Sequence, residues 1–365
     1  MSQNKSFDSL VSDLNQISSK KPEEAAAWAF ERAMEIIGVM DNQGLAVQLG
    51  KFMATHDFVT GGKGDGSQPA YHNSQHGAQV ALAAAHLARA EYGDDPEALR
   101  QHGMHLVIAG LGHDLQHPGR GNQSFRELEW KSFCCVSEIM DQFRYDWEEV
   151  RGHSPVNDVA WRRMEDMYRE LIVHTEFSQD AKENANAYQN EKNSPSSLTA
   201  KKILLNEADV LGSSLAATGP QLGRNFAEEE KKPFLGEWKA RAGFLEFAAK
   251  PLFITAAAKK LGLSEHIQAQ IDIIKRLTPE KLDALTREDP VEADNLILEN
   301  LKQFKKEFLL KDKVHQVSGA ILRENFAPVA IGDEPNLTNQ TALARILALR
   351  KDNPPPNHAA PKKNF

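Results

Sequence analysis

The chain has 365 residues, enough for one large or two ordinary domains with a substantial core. It is 41% hydrophobic and 26% charged, with a mean hydropathy of −0.50 and a net charge of −8. That balance excludes a basic surface for a nucleic-acid polymer, and no apolar run reaches membrane-spanning length. The 2 cysteines are the neighbours Cys134 and Cys135, so a disulfide framework is excluded and a reducing, cytoplasmic setting is expected. A polar tail without a secretory signal is also compatible with export by a specialised secretion system.

In chain order, the weak rhythm of Phe7, Leu10, Val11, Leu14 and Ile17 predicts a marginal first helix. Pro22, followed by Glu23 and Glu24, starts a second, with Trp28, Ala29, Ala33, Ile36 and Ile37 inward. A third covers about 43–55 and runs into His56-Asp57, a His-Asp pair without companions. The glycine-rich stretch 61–66 lacks the Gly-Lys-Ser/Thr ending of a phosphate-binding loop, so a connector is expected, with a mobile lid as the alternative. Tyr71-His72-Asn73-Ser74-Gln75-His76 then leads into an alanine-rich helix through about 89. His72 and His76 are spaced for one helix face. They could be a proton donor and a ligand, or a capped helix start with a solvent-facing histidine. Asp94-Asp95-Pro96 breaks the chain before a helix over 96–113, and His86, His102 and His105 are expected to be ordinary side chains.

The stretch that carries chemistry is His113-Asp114-Leu115-Gln116-His117-Pro118-Gly119-Arg120-Gly121-Asn122. Imidazole suits zinc, and a carboxylate suits magnesium or manganese and can bridge two ions. The spacing places His113 and His117 on one helix face, with Pro118-Gly119 ending that helix. Further helices are expected over 125–143, with Leu128, Phe133, Val136, Ile139 and Met140 inward, and over 160–173. A polar loop, about 178–197, separates these from a helix over 198–215. There Asp209 stands among Ile203, Leu204, Leu205, Val210 and Leu211, where a carboxylate should be paired or metal-bound. Glu228 to Pro233 reads as a charged loop and 238–260 as one apolar helix. Helical stretches broken by Thr-Pro and Asp-Pro continue to about 349, before a tail of disordered composition. No succession of alternating strands occurs, so the chain is expected to be all-α.

Taken together, Tyr71-His72-Asn73-x-x-His76, the His113–Asn122 string and Ala208-Asp209 resemble the catalytic domain of the class I cyclic nucleotide phosphodiesterases, within the HD metallohydrolase superfamily. Leu128-Glu129 with Phe133, Thr175-Glu176-x-Ser178, and Ala242-Gly243-Phe244 with Pro251-Leu252 extend the likeness over roughly 71–252. The resemblance implies a compact multi-helix HD-type bundle, divided as 1–60 (N-terminal helical region), 61–350 (catalytic domain) and 351–365 (tail). It implies that His76, His113, Asp114 and Asp209 bind a first ion, usually zinc. Asp114 would bridge to a second, usually magnesium or manganese. Glu129, Thr175 and His117 would contact the waters of those ions, and His72 would be the general acid. Phe244 would wall the base pocket, where Arg241 replaces the glutamine of the family. A guanidinium offers only donors, so the identity of the base is open; Arg241 could take a guanine edge or a second phosphate, or point to solvent.

The expected reaction is hydrolysis of a 3′,5′-cyclic nucleotide to a 5′-monophosphate. Alternatives are another phosphoester (a nucleotide, an alarmone or a cyclic dinucleotide) and a sensor without turnover. Glu299 and Glu307 are candidates for the carboxylate that orients His72, though spacing does not choose between them.

Overall fold

The computed structural model describes residues 2–39, 44–55, 68–175, 197–231, 237–249 and 252–304. The described residues are helical, with no strand among them, as the sequence led us to expect. In order the helices are α1 (Ser2–Ser18), α2 (Pro22–Ile37), α3 (Leu45–Thr55), α4 (Ser74–Tyr92), α5 (Pro96–Gly112), α6 (Glu127–Arg151) and α7 (Asp158–Ile172). After these come α8 (Leu198–Ser214), α9 (Gly219–Glu229), α10 (Glu237–Ala249), α11 (Ala256–Leu261), α12 (Leu263–Leu277) and α13 (Pro279–Glu288). A last helical stretch, α14, is described over 290–304.

The centre of the bundle is α4, whose alanine run is buried on every side. A helix that is apolar all round belongs in an interior, and small side chains let several partners approach it closely. It packs against α1, α2, α5, α8 and α11. The approach of α5 is closest at Gly110, where a Cβ would stand 3.0 Å from the Cα and N of Ala81. A Cβ at Gly77 would likewise meet the Leu111 carbonyl oxygen at 3.1 Å. This crossing of small residues brings the N-terminal turn of α4 beside the C-terminal end of α5.

The helices of region 1–60 share the core of the rest. Leu10, Leu14, Ile17 and Phe30 belong to the same buried cluster as Leu82, Ile108 and Leu211, and residues 1–305 form one compact unit. The buried Asp13 of α1 accepts hydrogen bonds from Arg32 of α2 (3.1 Å) and His86 of α4 (2.8 Å), pinning three helices at one carboxylate.

Several expected boundaries move. The helix read over 125–143 begins at Glu127 and runs on to Arg151, ending in the left-handed Gly152. The stretch read as one helix over 238–260 is two, α10 and α11. Between them the backbone N–H groups of Ile254 and Thr255 donate to the buried Glu207 (2.8 and 2.9 Å), and Thr255 caps α11 through Ala258 N. A carboxylate that takes two N–H groups ahead of a capping threonine starts a new helix instead of continuing the old one. The loop read over 228–233 is helical through Glu229. His56-Asp57, 61–66, Glu176, Ser178, Pro251, Glu307 and the tail lie outside the described residues. No described helix is long and apolar enough to cross a membrane.

Candidate metal centre

Two histidines and two aspartates converge where α4, α5 and α8 meet. The ligand atoms of His76, His113, Asp114 and Asp209 all lie within 4.8 Å of one another. His76 Nε2 is 3.0 Å from Asp209 Oδ1 and 3.4 Å from Asp114 Oδ2. His113 Nε2 is 3.1 Å from Asp114 Oδ2 and 3.4 Å from Asp209 Oδ1.

The local chain explains the arrangement, and corrects two expectations. Asn73 caps α4, its side chain accepting from the N–H groups of Gln75 (3.0 Å) and His76 (3.1 Å). His76 is therefore in the first helical turn, while His72 precedes the helix and does not share its face. At the other crossing α5 ends at Gly112, with His113 as its C-cap, so His117 does not share a helix face with His113. The chain turns at Gln116 (φ 56°) before Pro118 is reached, and Gly119 (φ 71°) makes a second turn against Pro69 and Glu229. These turns carry His117 away from the four-ligand cluster and over to His72. Their rings stack with centroids 3.8 Å apart.

The four-ligand set fits a divalent cation. His113 Nδ1 lies 2.8 Å from the Gly110 carbonyl oxygen, which can only accept. In the neutral, ligating form the proton is then on Nδ1 and the Nε2 lone pair is left for an ion; Nε2 is buried, with the carboxylates of Asp114 and Asp209 beside it. A carbonyl that fixes the tautomer of a ligating imidazole is the usual outer support of a metal site. The electrostatics agree. Burial disfavours ionisation of Asp114 and Asp209, yet the neighbouring imidazoles hold both carboxyls below the usual range. Burial likewise opposes charge on His113, but the two carboxylates raise it well above an ordinary histidine. Two imidazoles and two carboxylates with matched charge suit zinc or a harder divalent ion.

The carboxylate that holds His72 is not Glu299, and Glu307 lies outside the described residues. Glu299 is exposed and pairs with Lys302 at 2.7 Å. Glu229, the last residue of α9, bonds His72 Nδ1 through Oε1 and accepts the N–H groups of Tyr71 (2.8 Å) and His72 (3.1 Å) through Oε2. The Glu229 side chain is only 1% exposed. His117 Nδ1 accepts from Gly119 N–H at 3.2 Å, and burial pushes the imidazole down to about 4, so it is neutral near pH 7. Tyr71 stands edge-on to His72, with its hydroxyl 3.0 Å from that of Ser213.

Of the remaining expected residues, Glu129 is half-buried and accepts both 3.0 Å contacts from the Asn122 side-chain nitrogen. Asn122 itself accepts from Leu128 N–H (2.8 Å), so the end of the His113–Asn122 string sets the position of Glu129. Thr175 is buried and its hydroxyl donates to the Ile172 carbonyl at 2.8 Å. A cavity beside the cluster is lined by His72, Asn73, Asp114, Gln116 and His117, with Ala26 of α2 at its edge. Neither Arg241 nor Phe244 lines it. Phe244 packs half-buried on the main core.

Arg241, expected at the substrate, is buried in the protein. It donates to the carbonyls of Ser213 (3.1 Å) and Leu215 (3.0 Å) and to Gln270 Oε1 (2.8 Å). Those carbonyls end α8, where helix oxygens lack partners and a cation is favoured. Burial without a carboxylate in contact pulls the guanidinium down to about 10. His86, His102 and His105 stay apart from the cluster, His105 bonded to Tyr168 at 3.0 Å.

No protein-family model matches the chain, and a search of curated proteins finds no match.

Proposed function

We propose that the protein is a metal-dependent phosphodiesterase of the HD type that opens a 3′,5′-cyclic nucleotide to the 5′-monophosphate. One observation carries this reading: His72, held by Glu229, and Asp114 of the four-ligand cluster open into the same cavity. His76, His113, Asp114 and Asp209 would hold the first ion, zinc by its donor set, and Asp114 would bridge to magnesium or manganese. Bound there, the ions supply an activated water and positive charge against the phosphate.

The rest is done by the chain. Glu229 takes His72 Nδ1, which leaves the transferable proton on Nε2, and His72 is 18% exposed towards the cavity. In-line displacement at phosphorus makes the departing O3′ a strong base, and a positioned imidazolium that protonates it is worth about 10²–10⁴-fold. His117, neutral and stacked on His72, keeps that ring from turning. Glu129, oriented by Asn122, would accept from the waters of the second ion.

Arg241 favours a second reading within the same chemistry. With Arg241 buried against the carbonyls of Ser213 and Leu215 and against Gln270, no amide at that position reads a purine edge, so another phosphoester remains a competitor. The test is a panel of 3′,5′-cyclic nucleotides, nucleotides, alarmones and cyclic dinucleotides with the Mn²⁺-loaded protein. Release of 5′-monophosphates from the cyclic mononucleotides alone is expected. Turnover confined to a different phosphoester would replace the substrate and keep the chemistry, and bound nucleotide without turnover would sink both.

A further inference from the structure

We propose that His72, His117 and Glu229 form a separate zinc site that fills when Zn²⁺ is in excess and disables the proton donor. Their ligand atoms lie within 4.8 Å of one another and share no residue with the four-ligand cluster. Both imidazoles turn Nδ1 towards one carboxylate oxygen: His72 is hydrogen-bonded to Glu229 Oε1, and His117 Nδ1 is 3.9 Å from it. The two rings are stacked, 28° apart, so one of them has to turn out of the stack for both nitrogens to face one ion.

A tetrahedral zinc with bonds of about 2.0–2.1 Å spaces its ligand atoms roughly 3.3 Å apart. His117 Nδ1 therefore needs to close on Glu229 by about 0.6 Å from its 3.9 Å, giving up the Gly119 N–H, while the short His72 contact has to open by more than that. Glu229 is prepared for the role, because the N–H groups of Tyr71 and His72 fix its Oε2 and leave Oε1 to a metal. Three protein ligands with one open position is a coordination that zinc accepts. Magnesium and manganese prefer oxygen-rich sets, so the ions that would activate the centre should not compete here.

Binding is an exchange. Zn²⁺ enters as the proton between His72 Nδ1 and Glu229 Oε1 leaves to solvent, one proton per ion. His72 then keeps a proton only on Nε2, and giving that up would leave an imidazolate, so it no longer serves as an acid. The inhibition rests on the reading of His72 as proton donor; the site itself does not.

Equilibrium dialysis against rising Zn²⁺, on wild type, Glu229→Gln and His117→Asn, counts the ions, with thermal unfolding confirming that each variant is folded. Wild type should hold one more equivalent than either variant. Over the range in which that equivalent binds, Mn²⁺-supported turnover should fall about 100-fold in wild type. The residual turnover of Glu229→Gln should be insensitive to the same addition. Equal stoichiometry in all three proteins would overturn the site. An extra equivalent with undiminished turnover would overturn its inhibitory role. A protein with no turnover on any phosphoester would sink the functional reading, while dialysis would still decide the site.

Discussion

Glu229 joins the parts of the site that lie farthest apart in sequence, accepting from His72 across 157 positions. Its removal separates orientation from ligation. Glu229→Gln keeps the shape but cannot accept as a charged group, and kcat should drop about 10–100-fold, as for other groups that orient a functional side chain. Binding of Mn²⁺ at the four-ligand cluster should be unchanged. Because only protonated His72 can donate, the wild-type pH–rate profile should fall on the alkaline side. A profile flat to well above the histidine range would contradict the assignment. At this scale the sequence was informative where ligands stand close together. His113-Asp114 stands out as a neighbouring pair and Asp209 by its apolar neighbours, whereas the spacing of His72 and His76 suggested a shared helix face that the Asn73 cap rules out. Glu229 sits in an acidic run like any solvated one, and only tertiary packing of α9 onto the Tyr71–Asn73 turn distinguishes it.

At the scale of elements, the helix ends set the chemistry. The periodicity of 96–113 is unambiguous, but periodicity does not reveal that the helix stops at Gly112 with two left-handed turns beyond it. Those turns place His117 with His72 instead of with His113, and reading the spacing as one helix face missed this. Arg241 shows the same limit. From sequence it stands where a base-reading amide would be, whereas its donors cap the carbonyl end of α8. Arg241→Gln should therefore lower stability by about 2–4 kcal/mol, since a charged donor to buried carbonyls is lost. Thermal or urea unfolding measures this. The ratio of turnover on cyclic AMP to cyclic GMP should stay the same in the folded variant. A switch in base preference with unchanged stability would return Arg241 to the substrate.

Across the whole molecule, the all-helical reading followed from composition and period, but the standing of the first 60 residues did not. A weak apolar rhythm in α1 looked marginal because its partners are distant: Leu10, Leu14 and Ile17 are buried in the core shared with α4. Asp13 fixes that packing. Burial opposes its charge, but hydrogen bonds from His86 and Arg32 prevail and hold its carboxyl below the ordinary range. A carboxyl lowered on folding adds stability that is complete above its unfolded value and fades as pH falls through the folded one. Asp13→Asn should cost about 1–3 kcal/mol near pH 7. The gap between variant and wild type should close as pH is lowered below the carboxylate range. A gap that is constant with pH would remove the ion from the account.

We propose that the His76, His113, Asp114 and Asp209 cluster is a working hydrolytic metal centre. Its most direct test is hydrolysis of cyclic AMP and cyclic GMP by the purified protein with added Mn²⁺ or Mg²⁺, beside Asp114→Ala. We predict 5′-monophosphate from the wild type and loss of both turnover and bound metal in the variant. Turnover retained by Asp114→Ala, or none from a wild type shown to carry its metal, would contradict it.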